Sequence, residues 1–280
     1  MRQVTVWELV ENEEAIQLSE MDLACTTLDE VSLQLPMGVY TTFRTYRGSF
    51  ALGLGDHFVR LTESARLSGF HINANWDAVR NLLRIAIKER ENKEKRIRIH
   101  CGQKEGGSSV YIMMEMLHTP TMSDYENGVY VDLVNLRRNN PLAKRTQFIE
   151  QANNLRDKFP PNLNEMLMVD GGCILEGLSS NFFAVQDNKL YTAGNDVLPG
   201  LTQRAVLEVA RLRGIFVEMQ AINIGQLSLI QEAFITSASR GVLPVYKIGS
   251  MIVGAGVPGP VTLLLMRSYE EWIEQHIEPI

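Results

Sequence analysis

The sequence is poor in cysteine and has no long apolar run. Only three of its 280 residues are cysteines, Cys25, Cys101 and Cys173, and they form neither a CxxC pair nor a Cys/His cluster. We therefore expect neither a disulfide framework nor a metal site, and a reducing cytoplasm fits best. No apolar run is long enough to span a membrane, and residues 1–8 lack the apolar core of a signal peptide, so no membrane partner is expected.

The chain also lacks an excess of positive charge. Its 27 Lys and Arg residues are outnumbered by 33 Asp and Glu residues, which gives a net charge of -6 and argues against a nucleic-acid partner. The densest charge run, residues 88–96, mixes both signs and is typical of a solvated helix end. The hydrophobic fraction of 45% indicates an ordinary folded chain, long enough for two compact lobes.

Periodicity predicts a mixed α/β (α+β) fold with a small N-terminal domain at 1–118, a linker at 119–128 and a larger C-terminal domain at 129–280. The first domain is predicted to contain strands at 38–46, 96–101 and 110–117, helices at 57–70 and 76–91, and a loop at 102–108. Pro120 and its polar neighbours predict an irregular linker. The second domain is predicted to contain strands at 129–136 and 234–245, a hairpin at 166–183, and helices at 147–158, 202–213 and 261–275.

Three places in the sequence offer the groups that bind a phosphate, namely a fixed cation, helix N–H groups and small hydroxyl side chains. Arg60 lies on the first predicted helix, Leu201 and Thr202 open another helix after Pro199-Gly200, and the run 236–239 (TSAS) follows a strand. Taken singly, each has an ordinary explanation: a solvated arginine, a helix N-cap and a plain loop.

Five segments, in order along the chain, resemble motifs of the class IV aminotransferases, the family of branched-chain and D-amino-acid aminotransferases and aminodeoxychorismate lyase. They are 38–44 (GVYTTFR), 57–65 (HFVRLTESA), 176–183 (EGLSSNFF), 198–204 (LPGLTQR) and 234–245 (FITSASRGVLPV). The resemblance implies a two-domain fold type IV enzyme that uses pyridoxal 5'-phosphate. It also implies a homodimer, because the family's active sites lie between two subunits.

The resemblance assigns roles to individual residues. It implies that Lys144, 32 positions before Glu176, holds the cofactor as a Schiff base, with Lys158 as the rival lysine. It implies that Arg60 binds the cofactor phosphate, with His57 in a structural role, and that Glu176 faces the pyridine nitrogen. The predicted cofactor-binding residues are Arg60, Lys144, Glu176, Ser180, Asn181, Leu201, Thr202, Ser237 and Ala238. The predicted substrate-binding residues are Tyr40, Thr42, Arg44, Arg96 and Ser239.

The sequence departs from the family pattern in two places. Phe148 has no hydroxyl for the ring oxygen of the cofactor, so a water, Gln147 or another side chain has to serve. Ala238 stands where many relatives carry threonine, which leaves Ser237, Ser239 and backbone amides as donors in the phosphate loop.

The resemblance leaves several reactions open. In a transaminase, which passes an amino group between an amino acid and a 2-oxo acid, Lys144 is the base for the proton transfers. The segment 40–44 resembles that of aminodeoxychorismate lyases, which eliminate pyruvate. A D-amino-acid aminotransferase is the less favoured alternative, because its carboxylate-binding arginine and histidine have no counterpart at 104–108. A non-catalytic protein of this fold is disfavoured by the presence of both Lys144 and Glu176.

The strand 96–100 carries information on the substrate. Period-2 alternation places Arg96, Arg98 and His100 on one face, and Arg98 is expected to point to water. The resemblance implies that Arg96 faces the substrate and that Arg44 matches an arginine that helps to hold the side-chain carboxylate of glutamate in branched-chain enzymes. Two guanidinium groups that converge on one pocket would repel each other unless an anionic substrate binds. We therefore expect a dicarboxylic partner such as glutamate or 2-oxoglutarate.

Overall fold

A computed structural model describes residues 4–11, 16–88 and 93–280. The chain divides into two compact units. The first unit comprises Met1–His118, Ala143–Asn154 and His276–Ile280, and the second comprises Thr119–Leu142 and Leu155–Gln275. The assignment of one domain to residues 1–118 and the other to 129–280 stays a prediction.

The described residues form a mixed α/β fold, as predicted, with 17 strands and 7 α-helices. The strands are β1 (Val4–Glu11), β2 (Ile16–Met21), β3 (Gly38–Arg44), β4 (Phe50–Leu52), β5 (Lys95–Lys104), β6 (Gly107–Met116), β7 (Val129–Asn135), β8 (Leu163–Asp170), β9 (Cys173–Gly177), β10 (Asn181–Gln186), β11 (Lys189–Tyr191), β12 (Val217–Glu218), β13 (Ile222–Asn223), β14 (Glu232–Ser237), β15 (Gly241–Ile248), β16 (Met251–Ile252) and β17 (Ile277–Pro279). The helices are α1 (Leu28–Gln34), α2 (Leu54–Leu67), α3 (Trp76–Lys88), α4 (Met122–Asn127), α5 (Gln147–Arg156), α6 (Leu201–Leu212) and α7 (Pro260–His276), and a 3-10 helix spans Ile224–Leu229.

The first unit is built on an antiparallel sheet in the order β2-β1-β6-β5-β3. One face carries β-branched and aromatic side chains, including Phe43, Ile97 and Ile112, which pack in one core cluster with α2 and α3. The other face packs against α1 in a second cluster that contains Leu28 and Met113. Both faces of this sheet are therefore covered by helices.

Helix α2 illustrates why these elements form where they do. Leu54, Phe58, Leu61 and Ala65 recur at helical spacing and are all buried, so a single stripe attaches the helix to the sheet. The helix begins three residues before the predicted start at position 57, because Gly53 caps it in the left-handed conformation with φ 57.

The second unit contains a larger mixed sheet in the order β12-β11-β10-β14-β15-β7-β8-β9-β13. Strand β7 runs parallel to both of its neighbours, β8 and β15. The central strands are buried and apolar, with residues such as Val131, Leu167, Phe182 and Ile235 in one core cluster.

Several predicted elements differ from the observed ones. Most of the predicted loop 102–108 is strand, because β5 and β6 pair as far as Lys104 and Gly107 around a tight turn at Gly106, with φ 77. The predicted strand 234–245 is two strands, β14 and β15, that pair antiparallel. The segment predicted to be irregular contains α4, which a capping box between Thr121 and Asp124 stabilises.

Two predictions fall partly outside the described residues. The predicted helix at 76–91 is observed as α3 up to Lys88, and the charged run at 88–96 includes positions 89–92, which the structure does not describe. Among the described residues, no helix is long and apolar enough to cross a membrane.

Candidate active site

The backbone around Lys144 is attached to the edge strand of the first sheet. The carbonyl oxygen of Lys144 accepts a 3.0 Å hydrogen bond from the Tyr40 amide, and the Thr146 amide donates to the Gly38 carbonyl at 2.9 Å. The Lys144 amide donates to the Ser64 hydroxyl on α2 at 3.2 Å. Gly38 is required at this point, because a side-chain carbon would overlap the carbonyl oxygen of Cys101 on β5. The lysine backbone is thus fixed by two elements of the first unit.

The side chain of Lys144 lies over an aromatic ring. Its Nζ atom is 5.0 Å from the centroid of the Tyr40 ring, and the guanidinium carbon of Arg98 is 4.4 Å from the same centroid. Such cation–π contacts favour the charged form of an amine modestly and restrict where it can point. The rival, Lys158, is exposed and lies two residues beyond the end of α5. Lys144 is therefore the lysine whose amine is held inside the first unit.

Arg60 is held by two buried residues of the same unit. Its Nη2 atom donates to the Thr41 hydroxyl at 2.6 Å and lies 3.3 Å from Nδ1 of His57. The Thr41 hydroxyl is also 2.6 Å from this Nδ1, so two donors converge on the nitrogen. Because an arginine N–H can only donate, the network is satisfied when Nδ1 is the acceptor and the Nε2 atom carries the imidazole proton. This geometry supports a structural role for His57, which orients Arg60 together with Thr41.

Glu176 is a buried carboxylate of the second unit with two strong donors. Arg138 donates from Nε to Oε1 at 2.8 Å, and the Leu198 amide donates to Oε2 at 3.2 Å. Arg138 also binds the Leu178 carbonyl at 3.0 Å, so both partners of the ion pair are fixed. Arg138 is not among the predicted site residues, although it lies shortly before Lys144 in the sequence. A pairing across 38 positions cannot be read from local periodicity.

Asn181 connects this carboxylate strand to the start of α6. Its amide nitrogen donates to the Leu198 carbonyl at 2.9 Å, and a side-chain carbon at Gly200 would overlap its amide oxygen. The N-cap of α6 is Gly200, so the ordinary explanation of Thr202 as the N-cap is wrong. Thr202 is instead buried in the first turn, and the N-terminal N–H groups of α6, beginning at Leu201, are available to an anion.

The serine hydroxyls of the second unit differ in what they contact. Ser180 donates to the buried carboxylate of Glu165 at 3.2 Å, and Ser179 donates to the same oxygen at 2.7 Å. Ser237, at the end of β14, accepts a 3.0 Å hydrogen bond from Nε of Arg240. Ala238 and Ser239 follow in the half-buried turn before β15. Glu165 and Arg240 are not among the predicted site residues.

The predicted substrate residues of the first unit share one face of the sheet. Tyr40, Thr42 and Arg44 alternate along β3, and Arg44 lies opposite Arg96 of β5 in the antiparallel register. Arg96 donates to Glu115 at 2.7 Å, so its charge already has an acidic partner. The repulsion that we expected between Arg44 and Arg96 is therefore reduced by Glu115, and it does not by itself require an anionic substrate.

Arg98 does not point to water, and that expectation is wrong. Its side chain is 2% exposed and donates to Asp29 at 2.6 Å, to Ser32 at 2.8 Å and to Thr42 at 3.2 Å. The physical reason is that α1 packs over this face and brings Asp29 and Ser32 with it.

Two further observations concern possible ligands. Gln147, considered as a partner for the cofactor ring oxygen, is exposed and its amide lies 3.7 Å from the Met37 sulfur. Within the described ranges, no group of three or more His, Cys, Asp or Glu side chains could hold a metal ion.

Comparisons with known proteins relate these arrangements to characterised families. A model of the amino-transferase class IV family matches residues 38–248. The chain is 29% identical over 263 residues to a Thermotoga maritima protein assigned as a probable branched-chain-amino-acid aminotransferase, covering 88% of this chain and 92% of that protein. It is 24% identical over 258 residues to D-alanine aminotransferase of Bacillus licheniformis, covering 88% and 91%. In fold it is similar to a T.th. branched-chain amino acid aminotransferase complexed with N-(5'-phosphopyridoxyl)-L-glutamate, with a TM-score of 0.80, 20% identity and 98% of each chain covered.

Proposed function

Because this chain belongs to the class IV amino-transferase family and is a pyridoxal-phosphate-dependent transaminase, we propose that it exchanges an amino group between a branched-chain-like L-amino acid and a 2-oxo acid such as 2-oxoglutarate. The resemblance stated from the sequence is thereby confirmed at the level of the family. The observation that carries the residue assignment is the placement of Lys144, whose backbone is fixed to β3 and α2 and whose amine lies over Tyr40.

The donor groups of both units fit pyridoxal phosphate chemically. An amine such as that of Lys144 forms the covalent link to an aldehyde, and an arginine such as Arg60 suits a phosphate. The N-terminus of α6 offers backbone N–H groups to the same kind of anion. The buried carboxylate of Glu176 suits a protonated ring nitrogen. We propose these roles for Lys144, Arg60, Thr202 and Glu176.

The bound cofactor supplies an electron sink for the bond that breaks at the substrate Cα. We propose that Nζ of Lys144, as a neutral amine, would accept the proton that leaves the substrate Cα and hold it for the protonation that completes the amino transfer. Arg138 and the Leu198 amide orient the Glu176 carboxylate, which would hold a proton on the ring nitrogen of the bound cofactor. Tyr40 limits the positions that the lysine amine can adopt.

The substrate proposal rests on the relatives. The Thermotoga maritima protein is assigned to branched-chain amino acids, and the T.th. enzyme was solved with a phosphopyridoxyl-glutamate adduct. Arg44, on the polar face of the first sheet, is the residue that we propose for the side-chain carboxylate of glutamate. We also propose a cytoplasmic homodimer. The three cysteines, all free thiols, suit a reducing compartment, and light scattering of the purified protein would test the dimer.

The lysine assignment is tested by labelling. Borohydride reduction of the cofactor-loaded protein followed by mass spectrometry should find the adduct on Lys144. The Lys144→Ala variant should lose the adduct, and the matched Lys158→Ala variant should keep it. An adduct on Lys158, or one that persists in Lys144→Ala, would contradict the assignment.

The reaction itself is tested by a product assay. Panels of L- and D-amino acids are incubated with 2-oxoglutarate or pyruvate, beside a sample with aminodeoxychorismate alone. We expect amino transfer from L-leucine, L-isoleucine or L-valine to 2-oxoglutarate. Transfer from D-alanine but not from these donors would exclude the branched-chain proposal. Pyruvate release from aminodeoxychorismate without amino transfer would establish the lyase instead.

A further inference from the structure

Arg240 joins three segments of the second unit through its guanidinium group. It is the last residue of the turn between β14 and β15, and its Nε atom donates back to the Ser237 hydroxyl at 3.0 Å. Its Nη2 atom donates to Glu165 at 2.9 Å and to the Ser179 hydroxyl at 3.1 Å, while Nη1 donates to Asn164 at 3.2 Å. The turn that ends β14 is thus attached to β8 and to the turn before β10.

Glu165 is the anionic centre of this cluster. It is 1% exposed, and its Oε2 atom accepts hydrogen bonds from Arg240, Ser179 and Ser180. Burial alone would raise the pKa of this carboxyl, but Arg240 and Arg156, with the hydrogen bonds from Arg240 and Ser179, hold the pKa below its ordinary value. Gly177 belongs to the same arrangement, because a side-chain carbon there would overlap the Ser180 hydroxyl.

The hydrogen-bond directions separate the serines into two kinds. A hydroxyl has one proton to donate and two lone pairs that accept. Ser179 and Ser180 donate hydrogen bonds to Glu165. Ser237 accepts a hydrogen bond from Arg240, and the described residues contain no acceptor for a hydrogen bond from its own hydroxyl. Of these three serines, Ser237 alone is therefore set to donate to an incoming anion.

We propose that Arg240 is a positioning residue for the cofactor phosphate, acting through the Ser237 hydroxyl, which it turns into an outward donor. This inference rests on the proposed function and on the expectation, implied by the family resemblance, that the turn 237–239 belongs to the phosphate loop. Ala238 carries only a methyl group where many relatives carry a threonine hydroxyl. In this proposal the Ser237 hydroxyl supplies the donor that Ala238 lacks. The Ser180 hydroxyl, in contrast, serves the cluster by binding Glu165 and does not donate to the phosphate.

The test compares two ligands that differ only in the phosphate. Dissociation constants of pyridoxal phosphate and of pyridoxal are measured on apoprotein by absorbance titration, for the wild type and for Arg240→Met, Arg240→Lys and Ser237→Ala. Arg240→Met should weaken pyridoxal phosphate binding about tenfold, because a hydrogen bond to an anion is lost, and change pyridoxal binding less than about twofold. Arg240→Lys should restore part of the loss. The control is Arg213→Met, since Arg213 pairs with Glu271 and Ser268 in the same unit, and it should change neither constant.

The double variant distinguishes positioning from a general structural role. If Arg240 acts through Ser237, Arg240→Met/Ser237→Ala should bind pyridoxal phosphate no more weakly than the weaker single variant. Additive losses, or equal weakening of both ligands in Arg240→Met, would overturn the inference. If Arg240→Met does not fold, the same criteria apply to Arg240→Lys and its double variant with Ser237→Ala. A wild type that binds pyridoxal as tightly as pyridoxal phosphate would instead refute the phosphate site of the proposed function.

Discussion

The two faces of the first sheet use the same strands for different purposes. On one face, Phe43, Ile97 and Ile99 pack with α2 and α3 in an apolar cluster. The other face carries the alternate residues of the same strands, namely Tyr40, Thr42, Arg44, Arg96, Arg98 and His100. We call it the polar face, and α1 covers part of it. The polar face is not solvated, since Arg98 is 2% exposed and ion-paired. Buried ion pairs seldom give more stability than apolar residues of equal volume, so the apolar face contributes more to the stability of the fold, and we propose that the polar face serves binding.

The apolar face should show the largest loss of stability. Phe43 is 2% exposed and lies 5.1 Å from the His57 ring, so Phe43→Ala leaves a cavity and should lower the free energy of unfolding by about 3–5 kcal/mol. Urea unfolding followed by tryptophan fluorescence would measure it, because Trp7 and Trp76 lie in or against the same cluster. Phe216→Ala, at a residue 59% exposed, is the control. Equal losses in the two variants would contradict the division between the faces.

On the polar face, the largest effect is expected at Arg98. Arg98→Met leaves Asp29 without this guanidinium partner and should cost about 3 kcal/mol of unfolding free energy. The double variant Arg98→Met/Asp29→Asn should lose less than the sum of the single variants. Arg66→Met breaks an exposed pair with Glu63 and should show no measurable loss. Additive losses at Arg98 and Asp29 would mean that their ion pair contributes nothing.

His100 should make the free energy of unfolding decrease in acid. Burial, with a smaller contribution from the nearby Arg98, lowers the pKa of His100 to about 4, although the hydrogen bond with the Pro36 carbonyl opposes this shift. Because the folded pKa lies below the ordinary value of 6.5, stability is fully present above that pH and is lost as the pH falls towards about 4.

The loss should be on the order of 2 kcal/mol, measured as the change in unfolding free energy between about pH 7 and pH 4.5. His100→Gln should remove that part of the pH dependence. The exposed His71→Gln variant should retain it. A pH dependence unchanged in His100→Gln would show that other groups cause it.

The smallest effect concerns substrate choice. Arg44 is half-buried on the polar face, with its guanidinium 4.7 Å from the Tyr46 ring. Arg44→Ala should lower kcat/KM for glutamate about tenfold, because a charged contact to the side-chain carboxylate is lost, and for alanine about twofold at most. Steady-state kinetics with both donors would measure this, with Arg66→Ala as a surface control. Equal losses for both donors, or no turnover of glutamate by the wild type, would remove Arg44 from this role.

Elements with strong local periodicity could be predicted from the sequence. The stripe of Phe58, Leu61 and Ala65 predicted α2, and the spacing of Leu265, Tyr269 and Trp272 predicted α7, because helical periodicity is set by residues three and four apart. Turns were harder. The tight turn at Gly106 and the pairing of β14 with β15 depend on partner strands that a single strand pattern does not identify.

The electrostatic partners could not be predicted, because they come from distant positions. Alternation correctly placed Arg96, Arg98 and His100 on one face but said nothing about what covers it. Asp29, which pairs with Arg98, lies 69 residues upstream, and Glu165 lies 75 residues before Arg240. Each pairing is a property of the folded sheet and its covering segments.

Gly38 fixes the register of the strand that carries both faces. Its backbone packs directly on the Cys101 carbonyl, where any side chain would overlap, and it pairs with Thr146 on its other side. A slip of one residue would bring the Val39 side chain to that carbonyl and would turn Tyr40 and Arg44 into the apolar cluster. The absence of a side chain at this one position therefore disfavours strand pairings that would turn the polar face into the apolar core.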